Sequence, residues 1–88
     1  MPISMTNHTP GMTAEAYDQA MADATGPLCR TPGFISHATE ITPAGVTVTE
    51  VWDSREQWQQ WYETAVRPHL PAHAQQPTVT ELHNALRR

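Results

Sequence analysis

The side chains able to do chemistry in this sequence are amides, imidazoles and a tight aromatic group, and their spacing decides what each can do. Asn7 follows Ile3 and Met5 at alternate positions, so on a strand all three share a face, and an amide there can hold a substrate carbonyl or a developing oxyanion. The alternative for Asn7 is a residue at a strand end that bonds the following turn. His37 falls in a β-rich run, where an imidazole can act as general base toward a phenol or an activated C–H. It can equally be a histidine at a subunit seam with its nitrogens satisfied by neighbours. Trp58, Trp61 and Tyr62 recur at helical spacing, a pattern that makes core. Trp61 and Tyr62 are also the rings expected to line a pocket for a flat aromatic ligand. His83 and Asn84 point to opposite faces of a strand, so only one of them can reach a given cavity. His69 and His73 have the spacing of metal ligands on a helix, but Pro68 and Pro71 oppose a regular helix there, and no metal site is expected.

Composition removes several function classes. The formal charge is −4, and all five basic residues are arginines. No basic stripe is available for phosphates, so nucleic acid binding is not expected. A sequence without lysine has no side-chain amine for Schiff-base chemistry, which excludes covalent pyridoxal catalysis. Cys29 is the only cysteine and reads as a small packing residue. No Gly-x-Ser-x-Gly elbow, glycine-rich phosphate loop or paired-cysteine motif is present. The start of the chain lacks the basic and apolar stretches of an export signal, and no membrane span is seen, so a cytoplasmic protein is expected. Arg30, Arg55 and Arg67 read as solvated or ion-paired, Arg67 late enough in its helix to suit the helix dipole.

The elements that must position these residues follow from periodicity. Ile3 to His8 alternates as a half-buried strand ended by Pro10-Gly11. Thr13 can cap a helix whose apolar stripe is Ala14, Tyr17, Met21, Ala24 and Leu28. Gly26-Pro27 and Pro32-Gly33 bracket a loop, and Phe34 to Thr42 and Val46 to Trp52 form a hairpin around Pro43-Ala44-Gly45. Asp53 or Ser54 caps a second helix, with Glu56 completing a capping box from Asp53, and Trp58, Trp61, Tyr62, Ala65 and Val66 form its apolar face. Pro68 and Pro71 stop it, and Pro77 opens a last strand running to about Leu86. The order is βαββαβ, one α+β domain over residues 1–88. Right-handed crossovers then give a ferredoxin-like, four-stranded antiparallel sheet with two helices on one face. Both side-chain sets of the strands contain large residues, so the other face is expected to be covered by a second copy. A chain of 88 residues is also small enough to gain from the extra burial of a homodimer.

Three segments, Thr9-Pro-Gly-Met-Thr-Ala-Glu-Ala-Tyr17, Pro32-Gly-Phe-Ile-Ser-His37 and Glu50-Val-Trp-Asp-Ser-Arg-Glu-Gln-Trp58, give the chain a resemblance to the antibiotic biosynthesis monooxygenase-like domains of the dimeric α/β-barrel superfamily. The resemblance extends over nearly the whole chain. It implies a homodimer with a pocket between helices and sheet in each subunit, Asn7 on its first strand and Trp61 on its second helix. It further implies a monooxygenase acting without metal, flavin or other cofactor on a polycyclic aromatic or polyketide-type molecule, whose deprotonated form itself reduces dioxygen. Asn7, His37 and Trp61 are then the expected catalytic residues, with Tyr17, Trp58, Tyr62 and His83 contacting substrate. The same superfamily holds polyketide cyclases, isomerases and haem-degrading enzymes, and a non-catalytic dimer that binds an apolar metabolite uses the same pocket. Haem-degrading members carry an Asn, a Trp and a following His, mimicked here by Asn7, Trp61 and His69 or His73, but the His spacing departs from that pattern.

Overall fold

A computed structural model of the chain describes residues 1–70 and 74–88. Strand β1 spans Ile3–Pro10, β2 Phe34–Thr42, β3 Gly45–Trp52 and β4 Thr78–Glu81, and they form one antiparallel sheet in the order β2-β3-β1-β4. This is the ferredoxin-like arrangement, with β1 and β3 central. Registers align three rows on the face toward the helices: Ile3, Trp52 and Phe34; Met5, Glu50 and His37; Asn7, Val48 and Thr39. Ile3, Met5, Trp52, Leu28, Trp58 and Tyr62 form the buried core. Trp52 is fully buried and takes the edge of the Phe34 ring at a centroid separation of 5.5 Å.

The first helical segment is two helices. Thr13 caps α1, Ala14–Met21, by accepting from the Ala16 N–H at 3.2 Å, as its position before the apolar stripe predicts. The chain then turns, and α2 runs from Thr25 to Arg30. A continuous helix through Pro27 would lose a hydrogen bond and crowd the carbonyl four residues earlier. Restarting at Thr25 puts Gly26-Pro27 in a first turn, where the missing N–H has no partner to lose. The pair is thus helical instead of bracketing a loop, and it delivers buried Leu28 to the core.

Helix α3, Arg55–Trp61, is capped by Ser54, which accepts from the Gln57 N–H at 3.2 Å and bonds the Gln57 side chain at 3.0 Å. The expected Asp53/Glu56 box is displaced by one residue: the Asp53 N–H bonds the Gly33 carbonyl, and its carboxylate pairs with Arg87. Beyond Trp61 the helix widens into a π turn, Tyr62–Val66, and tightens into a 3₁₀ turn, Arg67–His69. Pro68 is the cause, since it brings no N–H and its ring crowds the preceding turn.

Strand β4 stops at Glu81, short of Leu86, because its neighbour β1 begins at Ile3, and the last bond available is Leu82 N–H to the Pro2 carbonyl. His83 and Asn84 are consequently exposed and outside any strand, and Leu86 is exposed. The sheet face away from the helices carries exposed Thr6, Ala38, Thr49 and Thr78. The largest side chains concentrate on the helix side, while Val51, with Ile35 and Leu82 beside it, gives the other face apolar residues of its own.

Gly45 begins β3 at φ +137°, and a Cβ there would collide with the Thr9 carbonyl oxygen and the Gly11 nitrogen. Gly45→Ala is expected to lower stability by about 2 kcal/mol or more, read from the urea midpoint. A midpoint unchanged within error would show that this end of the hairpin is looser than its geometry.

Candidate functional site

The alternation of β3 places Val46, Val48, Glu50 and Trp52 on the helix side, and one of these four is a carboxylate. Glu50 is only 5% exposed. A carboxylate so placed needs donors, and each oxygen has one: Trp52 Nε1–H donates to Oε1 at 3.0 Å and His37 Nδ1 meets Oε2 at 2.7 Å. With Glu50 as an acceptor and a neutral ring, the proton between them sits on His37 Nδ1 and Nε2 is left as an acceptor. Tyr17 OH lies 2.6 Å from that nitrogen and 2.5 Å from Thr39 Oγ1, while Thr39 Oγ1 is itself 3.1 Å from Nε2. With Thr39 donating to the Tyr17 oxygen, one consistent line of protons runs Thr39, Tyr17, His37, Glu50. The Tyr17 ring also stacks on the imidazole, 27° from parallel.

This line forms part of the wall of a cavity of about 140 Å³ between sheet and helices. Met5, Asn7, Val48 and Glu50 form its floor, and Met21, Leu28, Trp58, Trp61, Tyr62 and Val66 enclose it from the helical side. Trp58 and Tyr62 stack at 5.2 Å and are buried, so both build core and face the cavity. Trp61 and Asn7 are half-buried. Chemically the arrangement is a mostly apolar chamber with an oriented base on one wall and an amide on its floor, able to take a proton from a bound molecule and to stabilise the resulting anion.

Six of the seven site residues expected from sequence, Asn7, Tyr17, His37, Trp58, Trp61 and Tyr62, line this one cavity. His83 does not, because β4 ends before it. Asn7 sits inside β1 rather than at its end, since the strand continues to Pro10 and the turn is closed by Met12 N–H to the Thr9 carbonyl. His37 faces the helices, not the opposite sheet face where a seam would lie. His69 is exposed on its 3₁₀ turn, and His73 lies outside the described residues. Among the described residues no group of three or more His, Cys, Asp or Glu is placed to hold a metal ion. Cys29 is exposed rather than packed, and Arg67 pairs with Glu63 at 2.8 Å on the surface. Sequence reasoning missed Glu50 and Thr39; the signal for Glu50 was a charge at the buried parity of a strand otherwise made of Val and Trp.

No family model and no curated protein sequence matches the chain. Solved structures do. A heme-degrading protein of Mycobacterium tuberculosis, solved heme-free, superposes with a TM-score of 0.66 at 20% identity over 98% of this chain and 99% of its own. SnoaB, a cofactor-independent oxygenase of Streptomyces nogalater, superposes with a TM-score of 0.68 at 16% identity over 97% of this chain and 96% of its own. At such identities the likeness is one of fold: the chain shares the ferredoxin-like βαββαβ arrangement of these structures.

Glu50→Gln offers one acceptor where two donors converge, so His37 Nδ1–H or Trp52 Nε1–H loses its partner. The expected cost is about 1–3 kcal/mol by urea denaturation. Wild-type stability in this variant would mean that the buried carboxylate does not hold the imidazole.

Proposed function

We propose that the protein is a cofactor-independent monooxygenase-like enzyme acting on an aromatic or polyketide-type small molecule, with His37 as its general base. The observation that carries this reading is an imidazole fixed by a buried carboxylate and opening, with Tyr17, onto an aromatic-lined cavity that also contains Asn7. An activated CH₂ or phenol bound there passes a proton to His37 Nε2, directly or through the Tyr17 hydroxyl. The resulting anion is stabilised by the Asn7 amide and transfers an electron to dioxygen. Recombination of the radical pair forms a C–O bond, and the hydroperoxide, taking the proton back, loses water. For an activated CH₂ the balance is R₂CH₂ + O₂ → R₂C=O + H₂O, and for a phenol that forms the C–O bond at a ring C–H it is C₆H₅OH + O₂ → C₆H₄O₂ + H₂O, a quinone; in both the substrate is oxidised and dioxygen reduced. Water exclusion by Trp58, Trp61 and Tyr62 protects the anion from simple reprotonation.

The same base without dioxygen serves a cyclase or isomerase, and oxygen consumption separates the two. Of the two histidines expected at a haem-ligand position, His69 is not among the cavity's lining residues and His73 lies outside the described residues. We further propose that the active form is a homodimer in which a second copy covers the helix-free face bearing Thr6, Ala38, Thr49 and Thr78; light scattering at micromolar concentration should give twice the mass of one chain. A well-folded single chain under those conditions would remove this part of the proposal.

Oxygen uptake with an anthrone or hydroquinone should exceed the buffer rate. His37→Ala is expected to reduce the enzymatic rate by about 10²–10⁴-fold, the usual contribution of a positioned acid or base, and Asn7→Ala and Trp61→Ala should reduce it as well. Uptake at the buffer rate with bound ligand would leave a non-catalytic binding module. Rates unchanged in His37→Ala would overturn the assignment of the base.

A further inference from the structure

We infer that Tyr17 sets the size preference of the site: held against His37 and Thr39, its ring narrows the cavity so that a molecule of one aromatic ring, a phenol or hydroquinone, is favoured over fused polycycles. The inference rests on the reading of this cavity as the aromatic ligand site.

Volume comes first. A dry cavity of about 150 Å³ holds one benzene, and pockets for drug-sized ligands begin near 300 Å³. The chamber here, at about 140 Å³ and only partly enclosed, is nearer the one-ring value. Its composition adds the chemistry of that ring: apolar and aromatic walls for its faces, and the His37–Tyr17 pair and Asn7 for its oxygens.

The second observation is what lies behind the wall. Tyr17, Met21, Leu28 and His37 also line an open groove of about 630 Å³ between α1, α2 and the edge strand β2, with Phe34 and Cys29 further along it. The same side chains therefore separate a small chamber from a much larger space. Tyr17 is the one of them held there by hydrogen bonds to two β2 residues, at 2.6 Å to His37 and 2.5 Å to Thr39. Helix α1 contributes no buried residue, so these bonds are a principal tie between α1 and the sheet. Tyr17→Ala removes the ring that lines both the chamber and the groove, and Tyr17 is not one of the buried core residues.

The test uses the full chain and three ligands of increasing ring count: hydroquinone, 1,4-naphthohydroquinone and an anthrone. Binding is followed without oxygen through quenching of Trp58 and Trp61 fluorescence, and turnover by oxygen uptake. Wild type should bind hydroquinone at least tenfold more tightly than the anthrone, and Tyr17→Ala should reverse that order. Tyr17→Phe keeps the ring and loses both hydrogen bonds, so its preference should fall between the two. Thr39→Val, which removes one of the bonds, should shift the preference in the same direction if Tyr17→Ala does not fold. Equal or tighter anthrone binding by wild type overturns the inference, as does an order unchanged in Tyr17→Ala and Thr39→Val. Single-ring binding without oxygen uptake supports the size rule and sinks the oxygenase reading, so the two can fail separately.

Discussion

The structure depends on how one carboxylate is kept inside an 88-residue domain. Burying an ion costs several kcal/mol even after relaxation, and only well-placed donors offset it. Glu50 finds them in Trp52 and His37, and that solution propagates. Trp52, the most buried large side chain, needs an acceptor for its indole N–H, so the centre of the core and the carboxylate satisfy each other. When His37 Nδ1 donates to Glu50, a neutral ring presents Nε2 as an acceptor to Tyr17. Core, base and the attachment of α1 are therefore one hydrogen-bonded system.

Such a system is a poor way to gain stability alone. A domain of this size has few buried residues, and well-packed apolar side chains in place of a buried polar pair often cost nothing or stabilise. A cavity left beside them forfeits further packing. Local departures of this kind, a charge at a core position next to an unfilled space, are expected where a fold serves a site. The same region contains the π turn at Tyr62–Val66, where the helix departs from regular geometry as Tyr62 enters the cavity wall.

What the sequence discloses follows the range of the forces involved. Alternation in β1, the hairpin turn at Pro43-Ala44-Gly45 and the Thr13 cap are local, and the structure agrees with them. The stripe from Ala14 to Leu28 fits one helix or two, and only the cost of placing Pro27 in a helix interior decides between them. The end of β4 is set by where β1 begins, a pairing invisible within β4 itself, and the loss of His83 from the site follows from it. Glu50 was legible in principle, since strand parity puts it with Val46, Val48 and Trp52. That it would face His37 depends on the β2–β3 register and the bulge between Phe34 and Ser36, which no local pattern specifies.

The scaffold matches proteins described as heme-degrading and as a cofactor-independent oxygenase, at 20% and 16% identity, so the backbone alone does not select a chemistry. Selection has to come from side chains facing the chamber. The described imidazole that faces the chamber, His37, is engaged by Glu50 and Tyr17. What faces the chamber is an oriented imidazole acceptor, an amide and aromatic walls. Because the acceptor's orientation derives from the core itself, it is in place before any ligand arrives, which is the condition under which a fixed base contributes most to proton transfer.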